Sequence, residues 1–216
     1  MFTPVTKDTL VLENGWAKIT VPLENPVLKE CIERTKRGVH EKLLTNIAYF
    51  MGSVFQSAAL ERYRLKAEYA ARGKEWHPID LGPKLDPPVS IFESYAYTSC
   101  GSIAYLAAFL AAQAGVEGCG ILSGKLIIEN SGRGDGGHTV AIFPALPRCG
   151  YPEGLVYEAT EYGDGLGDKF SPKLTALGKG EYEQIVQGKI EEIQAGKYRF
   201  LIRKPKIEKE EQLPEL

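Results

Sequence analysis

Alternating polar and apolar residues near the start of the chain predict a β-hairpin. The segments Thr9–Glu13 and Trp16–Val21 flank Asn14-Gly15, a pair that tight hairpin turns favour because both positions need positive φ. Asn25 and Pro26 then indicate a helix start, since asparagine caps helices and proline fits their first position.

The next segment has the period of a helix face, with apolar residues recurring every three or four positions. These residues are Val27, Leu28, Cys31, Ile32, Val39, Leu43, Leu44, Ile47, Phe50, Met51, Val54 and Phe55. The pattern predicts long N-terminal helices up to about Arg72, with breaks near Gly38 and Gly52, and it places Cys31 in the core. Glycine and proline from 73 to 90 then predict a loop.

The back part of the chain mixes helical and strand patterns. A helix is predicted from about Ser99 to Ala114, ended by Gly115, and strands are predicted at roughly 119–129, 137–144 and 155–160. A glycine-rich loop at 163–180, a helix near 181–194 and a strand at Tyr198–Arg203 complete the pattern. The fold class expected from this pattern is α+β.

Length and composition predict a single domain over 1–216, because 216 residues with 44% hydrophobic side chains are enough for one buried core. Its parts are a helical front part at 1–75, a loop at 76–94, a core at 95–203 and a charged tail at 204–216, expected to be disordered. The net charge of −2 gives no reason to expect nucleic acid or an anionic membrane as partner. Without a basic leader or an apolar stretch near ~20 residues, we expect a cytoplasmic protein.

Four cysteines, at 31, 100, 119 and 149, lack the close pairing of structural sites, so free thiols are expected. Cys100 is distinctive because Thr98 or Ser99 caps the predicted helix and places it in the first turn. Unpaired amides and the positive end of the helix dipole favour a thiolate there, and Gly101 lets a substrate approach. The alternative is that Cys100 is a small hydrophobic residue at a helix end.

His138 and Glu158 are the residue types that would activate such a thiol. His138 starts a strand after a glycine-rich turn, as expected of a residue that faces a cleft. Glu158 lies in an apolar strand, where a buried carboxylate needs a partner such as an imidazole. A structural histidine and a glutamate on the solvent face of an edge strand are the alternatives.

In this order, helix cysteine, strand histidine and strand acid, residues 95–163 resemble the transglutaminase-like superfamily of papain-type cysteine enzymes. The matching motifs are Cys100 with Ala104 and Gly115, then His138 with its alternating apolar strand, then Glu158-Ala-Thr. Gly101-Ser102 replaces the acidic residues usual after the cysteine, which argues against calcium-dependent cross-linking members. The resemblance implies a central helix packed on an antiparallel sheet.

The resemblance further implies a cysteine-dependent hydrolase or acyl transferase that acts on amide or peptide bonds, on a peptide or protein substrate, without cofactor or metal. Cys100 would be the nucleophile, His138 the base and Glu158 the orienting acid. Tyr95, Tyr97, Ser99 and Gln56 are candidates for oxyanion or substrate contacts.

Three alternatives stay open at this point. One is an NlpC/P60-like cell-wall amidase, whose usual Asp-Cys-Ser-Gly start is absent here. Another is an inactive binding or assembly module with the same fold, which the residues after Cys100 favour. The third is a zinc site built from Cys100, Cys119, His138 and Cys149.

Overall fold

An antiparallel sheet and a buried helix dominate the part of the chain that the computed structural model describes. That part comprises residues 1–14, 17–24, 26–37, 40–49, 51, 67–68, 70–73, 100–127, 136–161, 169–195 and 198–202. Its strands are β1 (Phe2–Pro4), β2 (Leu10–Asn14), β3 (Ala17–Val21), β4 (Gly120–Ile127), β5 (Gly136–Phe143), β6 (Leu155–Glu161), β7 (Lys169–Ala176), β8 (Glu192–Ala195) and β9 (Tyr198–Ile202). Its helices are α1 (Pro26–Arg37), α2 (Cys100–Gln113) and α3 (Glu181–Val186), with 3-10 turns η1 (His40–Lys42) and η2 (Pro147–Cys149).

The main sheet has the strand order β7-β6-β5-β4-β9-β8, with β1 pairing with β4. Its pairings are all antiparallel. Strand β8 also approaches β6 and β7, so the sheet curls. The described residues therefore form an α+β fold with a curled antiparallel sheet. This confirms the predicted fold class and the predicted antiparallel sheet.

The N-terminal predictions are confirmed for the hairpin but not for the long helices. Strands β2 and β3 pair antiparallel as predicted, with Asn14 opposite Ala17. Helix α1 has 12 residues, and a further helical stretch covers 43–49. Residues 52–66 and 74–99 and the tail from 203 lie outside the described residues, so the remainder of the predicted front helices, most of the loop and the tail are not tested.

Two predictions in the back part are wrong. The segment predicted as a glycine-rich loop at 163–180 contains strand β7, which pairs along β6 and thereby satisfies its backbone. The helix predicted near 181–194 ends at Val186 in α3, and β8 follows. In β8, Ile193 and Ala195 are buried while their neighbours are exposed, which is the two-residue period of a strand rather than the period of a helix.

Most residues of helix α2 are buried, and its C-terminus shows why it ends where it does. Gly115 has a φ of 91°, a left-handed conformation that glycine adopts without strain. Its N–H donates to the carbonyl of Ala112, and the N–H of Val116 donates to that of Ala111, both at 3.0 Å. This is a Schellman motif, and it confirms the predicted role of Gly115.

Two hydrophobic clusters lie on opposite faces of the main sheet. The first surrounds α2 and includes Phe109, Phe143 and Tyr157, together with residues of α1 and the hairpin. The second lies within the curl of the sheet and includes Val140, Ile142, Val156 and Phe200. A site residue on a strand therefore faces either α2 or the second cluster, depending on its position along the strand.

Gly124, in the middle of β4, is expected to tolerate no side chain. A Cβ atom there would lie 2.1 Å from the carbonyl oxygen of Leu201 and 2.6 Å from the ring of Phe200. We expect Gly124→Ala to lower the free energy of unfolding in urea by about 1–3 kcal/mol or more, because the neighbouring strand must shift. Gly137→Ala is the control, since a Cβ there meets nothing within 4 Å. Equal stability of the two variants would contradict this account.

Candidate active site

Cys100 is the first residue of α2, which agrees with its predicted place in the first turn of a helix. Its backbone amide belongs to the first turn, where N–H groups have no partner within the helix and the dipole favours negative charge. Its side chain is partly exposed, whereas Cys31 and Cys119 are fully buried. The thiol of Cys100 is therefore partly accessible to solvent and lies at the N-terminus of a helix.

All four cysteines lie among the described residues and are free thiols, as the sequence predicted. Burial raises the pKa of Cys31 and of Cys119 to about 12. Burial also raises the pKa of Cys149, which is partly exposed like Cys100. These three thiols are consequently poor nucleophiles near neutral pH.

His138 and Glu158 form a hydrogen-bonded pair sealed from solvent. The distance between His138 Nε2 and Glu158 Oε2 is 2.5 Å, and the two side chains are 0% and 1% exposed. A carboxylate buried to this degree is costly without a partner, and the imidazole supplies one. The structure thus favours the paired interpretation of Glu158 over the solvent-exposed alternative.

The pair lies on the face of the sheet opposite to α2. Every second residue of a strand faces the same side, so on β5 His138 shares a face with Val140 and Ile142. On β6, Glu158 lies two positions after Val156 and shares its face. Both faces belong to the side of the sheet that carries the second cluster. Cys100 is the first residue of α2, and His138 is the third residue of β5. The Cys100 thiol lies near enough to the ring to raise the pKa of His138.

The ionisation of His138 reflects both neighbours. Burial lowers the pKa of the ring, but hydrogen bonds to the side chains of Cys100 and Glu158, and the charges of both groups, raise it to about 10. The imidazolium form is therefore favoured at neutral pH.

The structure thus brings together the three predicted residues, Cys100, His138 and Glu158. The four further candidates, Tyr95, Tyr97, Ser99 and Gln56, lie outside the described residues.

The zinc alternative finds no support in the described residues. They contain no group of three or more histidine, cysteine or acidic side chains placed to hold a metal ion. Cys100 is the first residue of the 14-residue helix α2, which is roughly 20 Å long at 1.5 Å per residue, and Cys119 follows the other end of the helix. One ion cannot bind both thiols.

Comparison of the chain with protein-family models, with curated proteins and with solved structures found no match in any of the three. In the described part of the chain, no helix has both the length and the apolar character needed to cross a membrane. The site is therefore interpreted from its own geometry.

Sequence reasoning missed two residues beside the pair. Gly124 lies directly opposite His138 in the register of β4 and β5. The ring of Phe200 contacts that of His138 with centroids 6.3 Å apart and planes at 68°, an edge arrangement. A glycine inside a strand pattern is a signal of close approach by another group, so Gly124 could have been noticed. Phe200 carries no such signal.

Proposed function

We propose that this protein is a cysteine-dependent hydrolase or acyl transferase that acts on an amide or peptide bond, built on a papain/transglutaminase-like core. The single observation that carries the proposal is the buried hydrogen bond between His138 and Glu158, on an imidazole whose pKa the nearby Cys100 also raises. A nucleophile, a base and an orienting acid in contact are the elements of covalent acyl transfer.

The proposed first step is attack of the Cys100 thiolate on the carbonyl carbon of the substrate. Glu158 occupies Nε2 of His138, which leaves Nδ1 as the nitrogen available to the thiol. The negative charge that develops on the carbonyl oxygen is stabilised by the backbone N–H of Cys100 at the start of α2. Because His138 is already protonated, it needs no separate proton source for the next step.

In the proposed second step the bond from carbon to the leaving nitrogen breaks. His138 donates its proton to that nitrogen, the amine departs and a thioester to Cys100 remains. Water or an acceptor amine then attacks the thioester, His138 accepts a proton from it, and the thiolate leaves as the acyl group is released. Glu158 accepts the hydrogen bond donated by Nε2–H throughout the reaction. This bond fixes the ring and stabilises its positive charge.

Iodoacetamide labelling across pH tests this proposal, with mass spectrometry reporting each cysteine separately. We expect Cys100 to react well below about pH 8.5, where ordinary thiols become slow, because the imidazolium stabilises its thiolate. Cys149 is the internal control, since it is also partly exposed but its pKa is raised by burial and by the charge of Glu41.

His138→Ala is expected to slow the labelling of Cys100 at pH 6 to the rate of Cys149, because the thiol then loses its cation. The labelling of Cys149 should be unchanged by this substitution. If Cys100 and Cys149 already react alike in the unmodified protein, the catalytic proposal fails, and a binding or assembly module with this fold takes its place.

A further inference from the structure

The second cluster contains an aromatic residue that reaches His138 from a distant strand. Phe200 belongs to β9, and His138 belongs to β5, with β4 between them. Adjacent strands lie about 4.8 Å apart, so side chains two strands apart normally have another side chain between them. Here the ring centroids are 6.3 Å apart, which requires a gap on the intervening strand.

Gly124 provides that gap. It stands opposite His138 on β4, and the ring of Phe200 passes over it, within 2.6–2.7 Å of the place where a Cβ atom would lie. Any other residue at this position would separate the two rings. The contact between Phe200 and His138 is therefore built into the sheet and is more than ordinary core packing.

The imidazole consequently has Glu158 on the side of β6 and Phe200 on the side of β4 and β9. Phe200 is fully buried, as is the side chain of His138. Glu158 accepts the hydrogen bond from Nε2, and the buried ring of Phe200 covers the imidazole from the direction of β4 and β9.

We propose that Phe200 is a positioning residue of this site, whose ring shields the His138–Glu158 hydrogen bond from water and holds the imidazole toward Cys100. The expected effect of Phe200 on the reactivity of Cys100 rests on the proposed function. The shielding itself is independent of whether Cys100 turns over a substrate. Gly124 is required for it because only glycine admits the ring.

The test measures, by NMR, how fast the Nε2 proton of His138 exchanges with water. Phe200→Leu is expected to speed this exchange by at least about tenfold, because water gains access to the hydrogen bond. The matched control is Phe143→Leu, since Phe143 is equally buried but lies on the other face of the sheet against Tyr157. Both variants lose a buried ring, so loss of stability alone would affect them equally.

The labelling rate of Cys100 by iodoacetamide at pH 7 gives the second readout. We expect a decrease of about tenfold in Phe200→Leu and less than about twofold in Phe143→Leu, as for a displaced catalytic group. If Phe200→Leu does not fold, Phe200→Met replaces it, because methionine fills the volume without a ring.

The two proposals fail in different ways. Equal exchange of the Nε2 proton in the Phe200 and Phe143 variants would overturn the role of Phe200. Faster exchange in the Phe200 variant alone supports that role, even where Cys100 labels no faster than Cys149. That combination would reject catalysis and retain the shielding.

Discussion

Glu158→Ala is expected to lower the rate at which Cys100 is acylated by p-nitrophenyl acetate by about 10²–10⁴-fold, the usual contribution of a positioned acid–base group. The substitution removes the acceptor of the His138 Nε2–H bond and the negative charge that supports the imidazolium. The ring then loses its fixed orientation toward the thiol. Release of p-nitrophenol, followed by its absorbance, measures the rate.

Glu158→Gln separates orientation from charge. The glutamine oxygen can still accept the Nε2–H bond, but it cannot balance a buried positive charge. We therefore expect a smaller decrease, about tenfold, and a lower pKa of His138 in an NMR titration. Glu192→Ala is the control, because Glu192 pairs with Arg199 on the exposed part of β8 and β9. An acylation rate of Glu158→Ala within the range of that control would exclude Glu158 from the site.

The second large expected effect is a loss of stability at alkaline pH that depends on His138. The pKa of this ring is raised from 6.5 to about 10 in the folded protein. A raised pKa means that the folded state holds its proton more tightly than the unfolded state does. The contribution is therefore complete below about pH 6.5 and disappears as the pH rises through about 10. Its size is on the order of a few kcal/mol.

Urea unfolding of the protein and of His138→Gln at pH 6 and at pH 10 measures this contribution. The difference in unfolding free energy between the two proteins should be large at pH 6 and small at pH 10. Val140→Ala is the control, because Val140 is buried two positions along the same face of β5 and does not titrate. Its effect should be the same at both pH values. An effect of His138→Gln that is equally independent of pH would contradict the raised pKa.

The features that the sequence predicted correctly are those that local chemistry determines. Strands β2 and β3 pair as the alternating pattern predicted, and Gly115 ends α2 because a left-handed residue is required there. The apolar run predicted a helix with Cys100 in its first turn, and α2 covers Cys100–Gln113. None of these features depends on distant parts of the chain.

The incorrect predictions concern elements whose partners are far away in sequence. The sequence before strand β7 is rich in glycine, and a proline lies in the middle of the strand. The strand nevertheless forms because β6 offers it backbone partners at the edge of the sheet. Strand β8 was predicted as the continuation of a helix, and its pairing with β9 overrides that local preference. Single-sequence patterns contain no record of such pairings.

The candidate site divides in the same way. The sequence by itself determined which residues can carry the chemistry: a cysteine at a helix start, a histidine at a strand start and an acid within an apolar strand. Only the tertiary structure decided that His138 and Glu158 are buried against each other at 2.5 Å, and that Phe200 reaches the ring across Gly124. The physical reason is that residue type and local spacing fix reactivity and helix ends, whereas strand register and the curl of the sheet decide which side chains meet.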